Sequence, residues 1–187
     1  MTEREKMISG LPYKAFSAEL VAMRSKAKEL CRAINQLSPH DTSTLRLLLT
    51  ALLGSVGEHV EILPNFFCDY GWNITIGDNF FSNHNLVILD CAKVSFGNNV
   101  FIGPNCGFYT ARHPIDVTER QQGLEDAKPI TVGNDVWIGG GVHVLPGVSI
   151  GDGVVIGAGS VVTHSIEAHT VAYGNPCRVQ RTLVKDS

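Results

Sequence analysis

The chain has 187 residues, 44% hydrophobic and 18% charged, which suits one domain with a full core and a small helical appendage. A net charge of −3 and a pI near 6.1 offer no basic face for nucleic acid. The opening "MTEREKMISG" has no apolar stretch and is unlike a signal peptide, and the greasiest segment, "LRLLLTALLG", is too short to span a bilayer and contains Arg46. The five cysteines (Cys31, Cys68, Cys91, Cys106, Cys177) are scattered and odd in number, with no CxxC pair. They read as reduced thiols of a cytoplasmic protein that meets neither membrane nor nucleic acid.

The first third is helical in pattern. Leu20, Met23, Ala27, Leu30, Ile34 and Leu37 recur three or four apart over residues 17–37, which marks a one-faced helix that Pro39 stops. Asp41 or Thr42 can cap a second helix with Leu45, Leu48, Leu49 and Leu52 on its apolar face, ending at Gly54.

Beyond Gly54 the period changes to six. Val132, Ile138, Val144, Ile150, Ile156 and Val162 form one comb, and Val136, Val142, Val148, Val154 and Ser160 form a second. Phe96, Ile102 and Phe108 keep the same step upstream, with Ile76 and Ile88 as weaker echoes. Six fits neither 3.6 nor a plain 2.0. It fits short strands joined by tight turns, three hexads making one triangular coil, with coils stacked at about 4.8 Å. The first comb points inward, the small comb fills the corners, and Gly133, Gly139, Gly151 and Gly157 are expected to supply turn dihedrals. Residues 1–54 are then a helical segment. Residues 55–187 are a β-solenoid with an inserted loop at 114–129 and a C-terminal tail.

The comb breaks between Phe108 and Val132, in "YTARHPIDVTERQQGLEDAKPIT". A solenoid tolerates insertions where they leave the stack, so this polar stretch projects as a loop with His113 at its root. Pro114 biases His113 toward extended backbone. Histidine exchanges protons near neutral pH, which suits a general base that later returns the proton to a leaving group. There is no G-x-S-x-G elbow. Cys106 lies on the small comb and reads as a buried filler rather than a nucleophile.

The run "ITVGNDVWIGGGVHVLPGVSIGDGVVIGAGSVVT" resembles the hexapeptide-repeat acyltransferases. The resemblance implies a mainly β fold, a left-handed parallel β-helix with an N-terminal α-helical segment. The stretches "EREKMISGLPY", "CDYGWNITIGDNFFSNHNLVILD", "YTARHPID", "GLEDAKPITVGNDVWIGG" and "GNPCR" narrow the likeness to the sugar O-acetyltransferases, the maltose and galactoside enzymes above all. It implies a homotrimer that uses acetyl-CoA and a small sugar acceptor, and no metal.

Carried over residue by residue, the resemblance implies that His113 is the general base. Asn83 lies near the acceptor and steadies the oxyanion. Glu125 holds the other nitrogen of His113 or binds sugar. Asp69 accepts hydrogen bonds from sugar hydroxyls, and Asp90 plays a related part. Coenzyme A runs past Trp137, Gly140 and Ala158, with Thr163, Arg178 and Arg181 near its phosphates. Three positions depart from the pattern. Ser17 stands where relatives place an acidic sugar ligand, and His164 where a lysine is usual. Cys91 stands where galactoside enzymes have an aspartate, which leans toward the maltose-like branch.

Two rivals share the scaffold. His164 and His169 are five apart, a spacing used for zinc in β-helical carbonic anhydrases. A non-catalytic assembly subunit is the other.

Overall fold

A computed structural model describes residues 1–183. Three helices lead: α1 (Glu3–Ile8), α2 (Ala18–Asn35) and α3 (Thr42–Leu52). A capping box starts α1. The Thr2 hydroxyl accepts from the Glu5 N–H at 3.1 Å, and the Glu5 carboxylate accepts from the Thr2 N–H at 2.7 Å. Asp41 caps α3 by accepting from the Thr44 N–H at 3.1 Å. The second helix ends at Asn35, ahead of Pro39, with Gln36 closing its last turn. Ala27, Cys31, Ile34, Leu49 and Leu52 are buried against the first coils. Thus the helices cover the apolar end of the stack, which would otherwise expose a row of unpaired strand groups.

From Ser55 onward the chain winds as a parallel β-helix with three faces. The first face stacks Ser55–Val56, Ile74–Ile76, Val94–Phe96, Ile130–Val132 and Ser149–Ile150. The second stacks Val60–Ile62, Phe80–Ser82, Phe101–Ile102, Trp137–Ile138, Val155–Ile156 and Thr170–Gly174, and Cys177–Thr182 folds back antiparallel on its end. The third stacks Phe66–Cys68, Leu86–Leu89, Gly107–Tyr109, His143–Val144 and Val161–Val162. All six residues of the first comb, Val132 through Val162, are buried to 2% exposure or less, as are the five of the second. Lower down, Phe80, Phe96 and Phe108 meet edge to face, with ring centroids 5.2 and 5.0 Å apart.

Apart from the coil that carries the insertion and a shorter last one, where Val155 pairs with Val171, the coil has two lengths. Trp137 pairs with Val155 and His143 with Val161, eighteen residues on, whereas Phe81 pairs with Phe101 and Val87 with Gly107, twenty on. The inward sequence Cys68, Ile76, Ser82, Ile88, Phe96, Ile102, Phe108 shows where the two extra residues go. Its step is six except on leaving the third face, where it is eight. That third corner is therefore the wide one in every lower coil, and the large insertion leaves from it as well.

The glycines after the first comb correct an expectation. The left-handed backbone belongs to the next set, Gly141, Gly147, Gly153 and Gly159, with φ from 65° to 84°. Gly139 and its equivalents are small because coils stack against them: a Cβ on Gly139 would lie 2.6 Å from the Ala158 nitrogen. In the lower coils asparagines take the left-handed positions instead. Asn79, Asn85, Asn99 and Asn105 do so, and with Asn65 and Asp135 they stack into ladders, Asn65 to Asn85 to Asn105 at 3.2 and 2.9 Å, and Asn79 to Asn99 to Asp135 at 3.0 and 2.8 Å.

Candidate active site

The insertion is more ordered than a loop. Thr110 and Lys128 close its neck through a 2.9 Å backbone bond. Between them come a short strand, Ala111–Arg112, the helix α4 (Val117–Gln121) and a strand, Leu124–Ala127. Asp116 caps α4 through the Glu119 N–H at 2.9 Å, and Gly123, at φ 72°, turns the chain back. The returning strand pairs antiparallel with Ala111–Arg112 on one side and with Tyr13–Lys14 of the N-terminal segment on the other.

That register builds the site. Ala111 faces Ala127 and Arg112 faces Asp126, where a forked ion pair closes at 2.6 and 2.8 Å. One step further puts His113 opposite Glu125, and His113 Nε2 lies 3.8 Å from Glu125 Oε1. This is ion-pair rather than hydrogen-bond distance. The imidazole is 60% exposed and the carboxylate 14% exposed, so the ring stands open to a substrate while its partner is held.

Asp69 and Asp90 stack at the same third corner, in the coils below. Asp69 is half-buried and accepts from the Cys91 thiol at 3.5 Å. Burial pushes its carboxyl above the usual range, against the opposing pull of that thiol, Arg24 and Lys28. Asp90 is fully buried, so it acts on the corner rather than on a ligand directly. Its Oδ1 accepts the N–H groups of Asp69 at 3.0 Å and Tyr70 at 2.8 Å, fixing the Asp69 backbone, and its Oδ2 has no partner among the described residues. Burial pushes the Asp90 carboxyl up to about 6, the Tyr70 N–H works against this, and the neighbouring Asp69 adds to it. Because the folded value lies above the ordinary 3.8, the neutral form favours the fold. The stability Asp90 withholds at neutral pH returns as the pH falls through 6 toward 4. Asp90→Asn lacks this dependence. Its stability should gain on that of wild type by up to about 3 kcal/mol as the pH rises from 4 to 7. Paired urea melts across that range check this, and a difference that stays constant with pH would count against it.

The remaining candidates lie elsewhere on the protomer. Asn83 sits at the second corner, between the second and third faces, where its side-chain oxygen accepts from the His84 N–H at 2.7 Å. It shares a shallow cleft with Phe81, Phe101, Gly103 and Trp137. Trp137 stands 59% exposed on the second face, stacked in register on Phe101. Gly140 and Ala158 occupy the second corner one coil apart. Arg178 and Arg181 lie on the folded-back strand at the end of the second face. Thr163 is on the third corner instead, two coils above the insertion and bonded to His164. So one protomer brings together His113, Glu125, Asp69 and Asp90. It keeps Asn83, Trp137, Gly140 and Ala158 across the width of the third face.

His164 and His169 fall on successive corners, and among the described residues no group of three His, Cys, Asp or Glu side chains gathers into a metal site. The Cys31 and Cys68 thiols share a hydrogen bond at 3.7 Å and form no disulfide, and Cys106 is a buried filler.

Two family models match the chain. The maltose acetyltransferase hexapeptide capping motif covers residues 6–57, and the bacterial transferase hexapeptide, six repeats, covers residues 129–164. A Saccharomyces cerevisiae protein that carries the name acetyltransferase is 52% identical over 98% of this chain and 94% of its own length. A maltose O-acetyltransferase from Clostridium difficile superposes with a TM-score of 0.97 at 47% identity, covering 99% of each chain. A galactoside acetyltransferase solved with coenzyme A gives a TM-score of 0.94 at 38% identity, covering 98% of this chain and 92% of that one. The chain is therefore an acetyltransferase of the hexapeptide-repeat class. It belongs to the family of maltose and galactoside O-acetyltransferases and carries that family's capping motif at its N-terminus. No helix among the described residues is long and apolar enough to cross a membrane.

Proposed function

We propose that the protein moves an acetyl group from acetyl-CoA to a hydroxyl of a maltose- or glucose-like sugar, working as a homotrimer with its sites between protomers. The observation that carries the reading is the open His113 imidazole paired with the held Glu125 carboxylate, on an insertion that leaves the same corner as the half-buried Asp69, two coils up.

In this reading Asp69 accepts hydrogen bonds from the sugar, and Asp90 keeps its backbone in place. With Nε2 turned to Glu125, the other ring nitrogen takes the proton from the sugar hydroxyl as its oxygen attacks the thioester carbonyl. Glu125 stabilises the imidazolium that forms. The Asn83 amide donates to the oxygen of the tetrahedral intermediate. The carbon–sulfur bond then breaks, and the imidazolium returns its proton to the thiolate, so the enzyme ends unchanged. The exposed row of Phe101 and Trp137 and the corner at Gly140 and Ala158 offer a lane for the pantetheine arm, with Arg178 and Arg181 toward the phosphates and Thr163 at the third corner. The width of the third face between His113 and Asn83 supports a site completed by a neighbouring protomer, whose Asn83 side would face this His113.

Thiol release from acetyl-CoA, measured over glucose, maltose, galactosides and glucosamine, tests the acceptor class. Turnover should be highest with the glucose-type sugars, in a preparation that light scattering shows as a trimer. Equal thiol release with and without every sugar would overturn the reading.

A further inference from the structure

We propose that Tyr13, brought in by the N-terminal segment, is a positioning residue for the base: its hydroxyl fixes the Glu125 carboxylate so that the second oxygen faces His113. This rests on the reading of His113 as the base.

Glu125 stands in the middle strand of the small three-stranded sheet. Its cross-strand neighbour on one side is Tyr13, and the register on the other side leads to His113. Directly opposed residues of antiparallel strands present their side chains on one face, so the three side chains form a row. The contacts agree. The Tyr13 hydroxyl donates to Glu125 Oε2 at 2.9 Å, while Oε1 lies toward His113. A carboxylate held at one oxygen cannot rotate freely about its terminal bond, so that hydrogen bond sets where the other oxygen points.

Tyr13 is itself held. It is 1% exposed, in a cluster with Met7, Leu20, Tyr70 and Cys91. The adjoining Lys14 N–H donates to the Glu3 carboxylate of α1 at 2.5 Å. Burial pushes the phenol far up, with Cys91 and Glu125 adding to the effect, so the group remains a donor at every working pH. A residue that only filled this core would not need its hydroxyl, since phenylalanine has the same ring. The hydroxyl meets the carboxylate that faces the imidazole. The capping segment, on this view, does more than cover the solenoid: its first fourteen residues complete the catalytic corner.

A double-mutant cycle on kcat in the full-length protein tests this. Tyr13→Phe should lower kcat by about tenfold, the scale of a hydrogen bond to a charged group, with KM for acetyl-CoA unchanged. Glu125→Gln should cost a similar factor, and the double variant no more than either alone. Wild-type kcat in Tyr13→Phe, or losses that multiply in the double variant, would overturn the proposal. A crystal structure of Tyr13→Phe gives a readout that needs no turnover. The carboxylate should swing away from His113, and a Glu125 that keeps its place would overturn the positioning role whatever the reaction. Undiminished turnover in His113→Ala would instead overturn the base reading, and is thereby told apart from failure of the Tyr13 contact.

Discussion

Replacing His113 by alanine is expected to lower kcat by about 10²- to 10⁴-fold, the usual contribution of a positioned general base, or about 3 to 5 kcal/mol of barrier. The loss should fall on kcat. The lane proposed for coenzyme A is built by other residues, Trp137, Gly140 and Ala158 among them, and the base acts on the sugar hydroxyl, so KM for acetyl-CoA should hardly move. The fold should survive intact, because the ring is 60% exposed and leaves no cavity. Steady-state kinetics beside a thermal melt separate the two effects. A variant that melts with wild type and has lost two decades of kcat supports proton abstraction by His113. One that keeps its kcat leaves the imidazole a turn residue and moves the chemistry elsewhere.

Much of this arrangement is legible in the residue string, and the legible part has a common cause. A stacked coil forces every inward position to repeat, so the comb from Val132 to Val162 announces both the fold and its interior. The break in that comb marks where the chain leaves the stack, which is why His113 stands out. What escapes a hexad reading is the lengthened step. Cys68 to Ile76 and Ile88 to Phe96 are eight apart, and both lie on the corner that carries Asp69 and Asp90. Treated as weak echoes of six, they hide the register of the site. Treated as six, six, eight, they point to one corner as the wide one in every lower coil.

Contacts that span the chain are less visible. Nothing in the spacing of Tyr13 and Glu125 suggests their pairing across 112 positions. It follows from a hairpin in the insertion that supplies a free strand edge and from an N-terminal segment long enough to reach it. Asp90 has a similar history. The family resemblance implies a part in sugar binding. Three-dimensional burial makes it a backbone acceptor one coil above Asp69, a role that depends on one coil lying on another. The comb glycines divide for the same reason. Gly139 is small because Ala158 lies above it, and only the positions two further on need the left-handed turn.

Phe108→Ala should be the most damaging single substitution in the scaffold, costing about 3 to 5 kcal/mol of stability. Phe108 is fully buried and meets Phe96 edge to face at 5.0 Å, the last ring of the aromatic column that fills the wider lower coils. Above it the interior narrows to valine and isoleucine, so no large neighbour can swing in to fill the space. Solenoid stability is a sum of coil and nearest-neighbour terms, and this position joins the twenty-residue coils to the eighteen-residue ones. It also lies two residues before the neck of the insertion, where Thr110 holds Lys128. A cavity here should therefore loosen the root of His113 as well as the stack. Urea melts at a fixed protein concentration measure the first effect. Kinetics in the absence of denaturant measure the second, with kcat falling in the variant while it is still folded. A midpoint within experimental error of wild type would mean that the coils collapse around the missing ring. Phe108 would then be one of many interchangeable fillers rather than the residue on which the two halves of the solenoid meet.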